Sequence, residues 1–305
     1  MALASGSFLL LYVLQRSQYD FFSDLMLLAA GLGAGALALY YALRAMHRHE
    51  RPLLELRTLN QPRYIVGVGL FTLCYAILGA NNFMLPVFIQ RTLGFSWQTL
   101  GAFQSLGLFS ALAGWFVMAW MLPKWPGARK FLVAGFLALA VSGWQLSRHN
   151  GQADLWTDVL PALLGNGVFL MLVMATVAMQ TFRDVQHNEA LLSHAQQFKN
   201  MVAQFGMALG VGVATIVLQW RTTAHYAVLN NRFHEGDPAF AGLVEQLANS
   251  LAPGSGGQAM PTALAYLGQQ LGQQATLAAC LDYFGAVACI GLLGATLMLA
   301  QRLMK

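Results

Sequence analysis

Among the polar side chains inside the apolar stretches of this chain, eight could take part in ligand or ion binding: Asn81, Asn82, Gln104, Ser105, Asn166, Thr176, Gln204 and Asp282. A side chain that can hydrogen-bond is costly to expose to hydrocarbon, so we expect all eight to turn toward other helices. Five amides are candidates for lining a polar cavity, namely Asn81, Asn82, Gln104, Asn166 and Gln204. Hydrogen bonding between helices is the alternative for each of them.

Asp282 is the one charged residue within the seven long apolar stretches. It follows Thr276, where the last stretch begins, by six residues, about 9 Å along a helix. At that depth a carboxylate could bind a cation or exchange a proton. It could equally be an interfacial group that reaches water, and the sequence leaves both interpretations open.

Motifs typical of soluble enzymes are absent from the sequence: it has no G-x-S-x-G, no H-E-x-x-H, no phosphate loop ending in Gly-Lys-Ser/Thr and no C-x-x-C. Cys74, Cys280 and Cys289 all lie inside apolar stretches, which favours buried thiols over disulfides or metal ligands. We therefore predict no enzyme activity, no cofactor and no metal site.

The elements that carry the polar residues are seven apolar stretches, each close to the roughly 20 residues that cross a bilayer as a helix. They are residues 25–43, 64–89, 98–121, 131–147, 159–180, 200–219 and 276–300. Because a backbone in lipid must satisfy its own hydrogen bonds, the pattern predicts an all-α integral membrane protein. Residues 2–14 are apolar but too short to span and do not resemble a signal peptide. They read as the second half of a helix, so we expect the chain to lack its natural beginning.

Basic residues indicate the orientation. If the spans alternate in direction, one face carries 12 of the 17 lysines and arginines, and that face is expected to be cytoplasmic together with the C-terminus. Five of the 12 lie within residues 44–63. A patch that binds nucleic acid or anionic lipid is the alternative for this segment, but topology alone accounts for the bias, and no nucleic-acid partner is predicted.

The sequence divides into three parts. Residues 1–44 hold one partial and one complete transmembrane helix, residues 45–63 form a basic cytoplasmic loop, and residues 64–305 form a six-helix bundle. Within the bundle, residues 221–275 are expected on the extracytoplasmic side as a long loop containing helix-compatible segments. Gly206 and Gly210 form a G-x-x-x-G pair that allows close helix packing, and Pro86 predicts a bend next to Asn82.

Four passages resemble a known family. They are Arg-Pro-Leu-Leu-Glu-Leu-Arg at residues 51–57, Leu-Pro at 85–86 with residues 90–96, the glycine-rich residues 206–210, and residues 274–277 with 282–284. In this order and spacing they resemble the C-terminal portion of a drug/proton antiporter of the EmrB/QacA type within the major facilitator superfamily. The first passage resembles the signature that enters the family's ninth helix, and the last two resemble segments of the penultimate helix and the start of the final one.

The chain also departs from that family. Val202 stands where family members often have an arginine, and Lys199 lies nearly a turn earlier. Residues 122–130 retain only part of the superfamily's basic loop motif. The family's antiporter motif and several of its proton-coupling acids belong to an N-terminal bundle that this sequence does not contain.

The resemblance implies the C-terminal half of a proton-coupled secondary transporter in a bacterial inner membrane. Its substrate would be a drug or another small amphipathic compound moved outward, with the proton as coupling ion. Its partner would be a missing or separate N-terminal bundle, without which we expect no transport. The alternative is a non-transporting membrane scaffold or regulator that acts through residues 221–275.

Overall fold

The computed structural model describes residues 2–48, 59–125, 127–231, 238–251 and 259–301. These residues form helices and contain no strand. The α-helices are α1 Ala2–Asp20, α2 Leu25–Arg48, α3 Pro62–Pro86, α4 Trp97–Lys124, α5 Ala128–Ser147, α6 Leu160–Phe182, α7 Glu189–Asn230, α8 Pro238–Leu251 and α9 Ala259–Ala300. Two short π-helical segments adjoin them, Val87–Thr92 after α3 and Leu155–Val159 before α6.

Seven helices among the described residues are long and apolar enough to cross a membrane, namely α2 to α7 and α9. They contain all seven of the stretches predicted from hydropathy, so the prediction of an all-α integral membrane protein is confirmed. Helix α1 has 19 residues and is not among the seven. It forms a hairpin with α2 and packs against α7.

Five helices form a closed ring in which α3, α7, α9, α5 and α6 each pack against the next, and α6 returns to α3. Aromatic side chains fill much of the interior, with Phe88, Phe136, Phe169 and Phe284 fully buried. Helix α4 lies outside this ring and packs chiefly on α6. The two helices approach closely at a pair of glycines. A methyl group added to Gly167 would overlap the backbone oxygen of Gly107, so no larger residue fits at position 167.

Helix ends follow the local sequence. Ser96 caps α4 by accepting a hydrogen bond from the Thr99 amide at 3.2 Å, and Asn188 caps α7 by accepting one from the Leu191 amide at 3.1 Å. At Pro86 the α-helical pattern of α3 gives way to the π-helical segment. A proline has no amide hydrogen to donate to the preceding turn, which explains why the helix type changes at the residue where a bend was predicted.

Close packing between α3 and α7 depends on glycine. The structure places Gly206 and Gly210 against α3, where a methyl group at Gly206 would lie 2.7 Å from the Thr72 oxygen and one at Gly210 would overlap the Ala76 oxygen. On the opposite helix, Gly79 lies against the backbone of Met207 in the same way. The two backbones therefore approach each other more closely than any larger side chain at these positions would allow.

The region predicted as a long outer loop is largely helical where the structure describes it. Helix α7 continues to Asn230 and α9 already begins at Ala259, so both extend well past the predicted ends of their spans. The loss of hydropathy at residues 219 and 276 ends the apolar stretch but does not break the helix, since the intervening residues remain compatible with helix formation. Helix α8 packs on α9 through Val244, Ala248 and Ala263. The glycine-rich segment 253–257 and the signature at 51–57 lie outside the described residues.

Candidate functional site

Asn81 and Asn166 meet inside the ring of helices. The Nδ2 group of Asn81 on α3 donates to Oδ1 of Asn166 on α6 at 2.9 Å. The hydroxyl of Tyr283 on α9 donates to Oδ1 of Asn81 at 2.7 Å. Both Asn81 and Tyr283 are buried, at 5% and 9% exposure. The three side chains thus form one hydrogen-bonded network that joins three helices.

Little free space adjoins this network. The hollow beside it is lined by Asn81, Asn166, Ser142 and apolar residues of α3, α5, α6 and α9, and its volume is about 10 Å³. That is close to the minimum for a single water molecule and far below the several hundred Å³ of a site for an organic ligand. At Asn81 and Asn166, the geometry supports interhelical hydrogen bonding.

The other three cavity candidates lie elsewhere. Asn82 is exposed on α3, next to its buried neighbour Asn81, and Gln104 is half-buried on α4. Gln204 is exposed on α7 and lines a groove of about 430 Å³ between α7 and α1, opposite Gln15. The structure therefore brings together two of the five amides, whereas Asn82, Gln104 and Gln204 take no part in their network.

The two hydroxyl residues predicted with the amides bond elsewhere, Ser105 within its own helix and Thr176 to a neighbouring helix. Ser105 is exposed and donates to the Ala102 oxygen of its own helix at 2.6 Å. Thr176 is buried and lies 3.9 Å from the Met118 sulfur of α4. Neither residue extends the network around Asn81.

Asp282 has two basic partners on α7. The Nε group of Arg221 donates to its Oδ2 at 2.7 Å, and Nε2 of His225 lies 2.6 Å from the same oxygen. Arg221 and His225 are four residues apart and so lie on one face of α7. The Asp282 side chain is 38% exposed. This arrangement favours the interfacial interpretation of Asp282 over a cation site, because the protein itself supplies the positive charge.

Sequence reasoning missed three participants in these two networks. Tyr283 follows Asp282 directly but was not singled out as a polar group of the span. The prediction places Arg221 and His225 in a helix-compatible segment of the outer loop, but it does not join that segment to the spanning helix α7, which carries both residues on one face. Their i, i+4 spacing just beyond an apolar stretch was the signal that could have identified them as partners of Asp282.

Further polar contacts join neighbouring elements at both ends of the bundle. At one end Nε2 of Gln273 donates to the Thr92 oxygen at 2.8 Å, which joins α9 to the π-helical segment after α3. At the other end Arg63 pairs with Asp184 at 3.0 Å and joins the start of α3 to the residues after α6. The described residues include no group of three or more His, Cys, Asp or Glu side chains placed to hold a metal ion.

Three curated proteins are similar in sequence to this chain. The "Uncharacterized MFS-type transporter YhcA" of Bacillus subtilis is 24% identical over 79% of this chain and 44% of its own length. The "Putative multidrug resistance protein MdtD" of Cronobacter sakazakii is 31% identical over 63% of this chain and 39% of its own length. The protein of the same name from Serratia proteamaculans is 27% identical over 65% and 40%.

No family model matches the chain. The chain spans about two fifths of the length of the curated relatives that it matches. One of these relatives is named an MFS-type transporter, and together with the seven candidate membrane helices of the described residues this identifies a multi-pass membrane protein similar to transporters.

Proposed function

We propose that α3 to α7 and α9 form one lobe of a proton-coupled secondary transporter that moves drugs or other small amphipathic compounds out of a bacterial cell. The similarity to MFS-type transporters over most of this chain carries the proposal. The names of two relatives, putative multidrug resistance proteins, support multidrug efflux as the activity of the whole protein. The passages that resemble the EmrB/QacA type support the same substrate class and the proton as coupling ion.

The packing of the bundle supports a half-pathway rather than a complete one. Its internal polar network at Asn81 and Asn166 leaves about 10 Å³ of free space, so a substrate cannot pass through the middle of the ring. Transporters of this kind place their substrate between two bundles that rock around a site at the midplane. The exposed Asn82 and half-buried Gln104 are the amides that remain available to such an interface. The second lobe would come from the same, longer polypeptide or from a separate one.

The test uses the purified chain in lipid vesicles with an imposed pH gradient and a fluorescent amphipathic dye. We expect the chain alone to move no more dye than empty vesicles. The positive arm fuses the chain to the part of the Cronobacter relative outside the matched region. Dye movement by the fusion that requires the gradient and falls on Gln104→Leu would support the proposal. Gradient-driven movement by the chain alone, abolished by Asn82→Leu or Gln104→Leu, would contradict it.

A scaffold or regulatory role is the second candidate, and one surface favours it. Helix α8 and the outer part of α9 expose Leu243, Leu264 and Tyr266, each close to half exposed, beyond the predicted membrane span. Exposed apolar side chains in a region outside the membrane are typical of protein contacts. Replacing Leu243 and Leu264 by serine distinguishes the scaffold role from the transporter role, because the two roles predict different outcomes. The scaffold role predicts loss of a stoichiometric partner in purification, whereas the transporter lobe predicts unchanged dye movement by the fusion.

A further inference from the structure

A cleft of about 510 Å³ opens on the side of the bundle between the first turns of α5 and the last turn of α9. Its lining has basic residues at one end and apolar residues along the rest, and consists of Gly127, Arg129, Lys130, Val133, Ala134, Leu137 and Leu299. The polar network around Asn81 and the groove at Gln204 do not share any of these residues. The cleft is therefore a separate feature.

The apolar walls of the cleft face the lipid. Helices α5 and α9 pack closely because Gly291 lies against Ala140, where an added methyl group would be 2.6 Å from the Ala140 amide nitrogen. On the outer side of this contact, Leu137 and Leu299 remain 44% and 49% exposed. Both residues belong to candidate membrane spans, so acyl chains rather than water surround them.

The basic end of the cleft lies at the start of α5, where several sources of positive potential coincide. Arg129 and Lys130 are in the first turn of the helix, and neither has an acidic partner within the described part of the chain. The N-cap is Gly127, which provides no side-chain acceptor for the free amides of that turn. The helix dipole adds a partial positive charge at the same place.

One donor at this end lacks an acceptor. The Nε group of Arg129 is enclosed and has no hydrogen-bond partner among the described residues. Lys130 turns toward the neighbouring loop, donates to the Trp125 oxygen and lies 5.7 Å from the centre of the Trp125 ring. Trp125 is exposed, as expected of an indole at the headgroup level of a bilayer. The basic end thus lies where a membrane presents its phosphates.

We propose that this cleft binds one anionic phospholipid. The phosphate of the headgroup lies against Arg129, Lys130 and the amino end of α5, and one acyl chain lies along Val133, Ala134, Leu137 and Leu299. Charge and the apolar lining decide the occupant. A net negative headgroup matches two cations that have no acidic partner among the described residues, and the apolar walls match an acyl chain attached to that headgroup. This inference depends on the membrane fold and not on the proposed transport function.

The test is a titration of the whole chain, in detergent, with phosphatidylglycerol or with phosphatidylcholine of the same acyl chains, followed by native mass spectrometry. We expect the chain to retain the anionic lipid preferentially. A basic residue near an anionic surface strengthens binding about fivefold, so the double variant Arg129→Gln, Lys130→Gln should bind phosphatidylglycerol at least tenfold more weakly. Its binding of phosphatidylcholine should not change.

The matched control is Lys124→Gln, which removes one positive charge from the same predicted face. Lys124 lies 3.6 Å from the centre of the Trp120 ring and does not line the cleft. We expect this variant to bind phosphatidylglycerol within twofold of the original chain. A loss of about fivefold, the effect expected of any one basic residue near an anionic surface, would overturn the proposal, since surface charge in general would then explain the binding.

A second variant, Ala134→Phe, narrows the apolar part of the cleft and leaves its charges unchanged. Weaker binding of phosphatidylglycerol by this variant supports an acyl chain bound along the cleft. Unchanged binding overturns the proposal. Displacement of the lipid by millimolar inorganic phosphate would also overturn it, because a free anion would then suffice. Helix content by circular dichroism and the elution volume of each variant establish that it is folded. Arg129→Lys, which keeps the charge, should retain most of the binding.

Discussion

Arg221 on α7 donates its Nε hydrogen to Asp282 on α9 at 2.7 Å, and His225 lies 2.6 Å from the same carboxylate oxygen. The one charged residue of the apolar stretches is therefore paired across two helices whose outer parts extend beyond the predicted span. Because the side chains of Arg221 and Asp282 are 36% and 38% exposed, water screens the pair and limits its energy.

We predict that Asp282→Asn lowers the free energy of unfolding by less than about 1 kcal/mol, as is typical of partly exposed ion pairs. Thermal unfolding in detergent measures this, with Glu245→Gln on the exposed face of α8 as the control for loss of one negative charge. A loss of several kcal/mol would mean that the pair is far less accessible to water than its exposure indicates.

The same substitution tests the proton role of Asp282. If the carboxylate serves as an interfacial partner of Arg221, a transporting fusion with Asp282→Asn should still require the pH gradient for dye movement. Transport rates measured with and without the gradient decide this. Dye movement that becomes independent of the gradient would identify Asp282 as a proton-coupling residue instead.

Removal of one member of the buried network should destabilise the bundle. Asn166→Leu leaves the Nδ2 group of Asn81 without its partner, and we expect a cost of about 0.6 to 2 kcal/mol. Tyr283→Phe should cost a similar amount, because Asn81 then loses its other hydrogen bond. Unfolding in detergent titrated with sodium dodecyl sulfate gives both values. Asn82→Leu, on the exposed side of α3, is the control and should change stability little.

Glycine-to-alanine substitutions should act in opposite directions at two positions. At Gly210 the added methyl group would overlap the Ala76 oxygen, so Gly210→Ala should separate α3 from α7 and cost more than about 2 kcal/mol. At Gly69 nothing lies within 4 Å of the added group, so Gly69→Ala should stabilise the helix by about 0.5 to 1 kcal/mol. The same detergent unfolding assay compares them. Equal effects at the two sites would show that α3 and α7 do not meet through glycine.

Reporter fusions test the predicted orientation. A green fluorescent protein at the C-terminus should fluoresce, since it folds in the cytoplasm, and an alkaline phosphatase inserted after Glu245 should be active outside it. The physical reason is the excess of basic residues on the face that includes the C-terminus. The opposite result at both sites would show that the whole bundle has the reverse orientation in the membrane.

Hydropathy was sufficient to locate each of the seven candidate spans that the described residues contain, because a helix in lipid needs about 20 apolar residues wherever it lies in the bundle. It could not locate the ends of α7 and α9, since a helix that leaves the membrane loses its apolar character but keeps its backbone hydrogen bonds. The residues beyond the two spans were therefore predicted as an outer loop with helix-compatible segments, and not as continuations of α7 and α9. The pairing of Asp282 with Arg221 follows from this extension and was not predicted.

The sequence identified polar residues within spans but could not sort them by partner. Asn81 and Asn82 are adjacent and chemically identical, yet one is buried in the network and the other is exposed, because successive residues of a helix point about 100° apart. The angular position of each helix in the ring decides which of them meets Asn166. The angular position of α3 depends on its close packing against α7 at Gly79 and Gly210. Such packing is a property of the tertiary structure and cannot be read from either helix alone.

Helix α4 adjoins the ring chiefly through one neighbour, α6, whereas each helix of the ring has at least two. At Gly107 and Gly167 the interface with α6 has no side chains, and two hydroxyl groups bond across it among the described residues: Ser110 to the Leu164 oxygen at 2.7 Å and Thr176 to the Met118 sulfur at 3.9 Å. Sliding or tilting α4 therefore disturbs one interface and leaves the closed circle of five helices intact. Among the spanning helices α3 to α7 and α9, α4 is the one whose displacement would disturb the fewest interfaces, and Gln104 would be displaced with it.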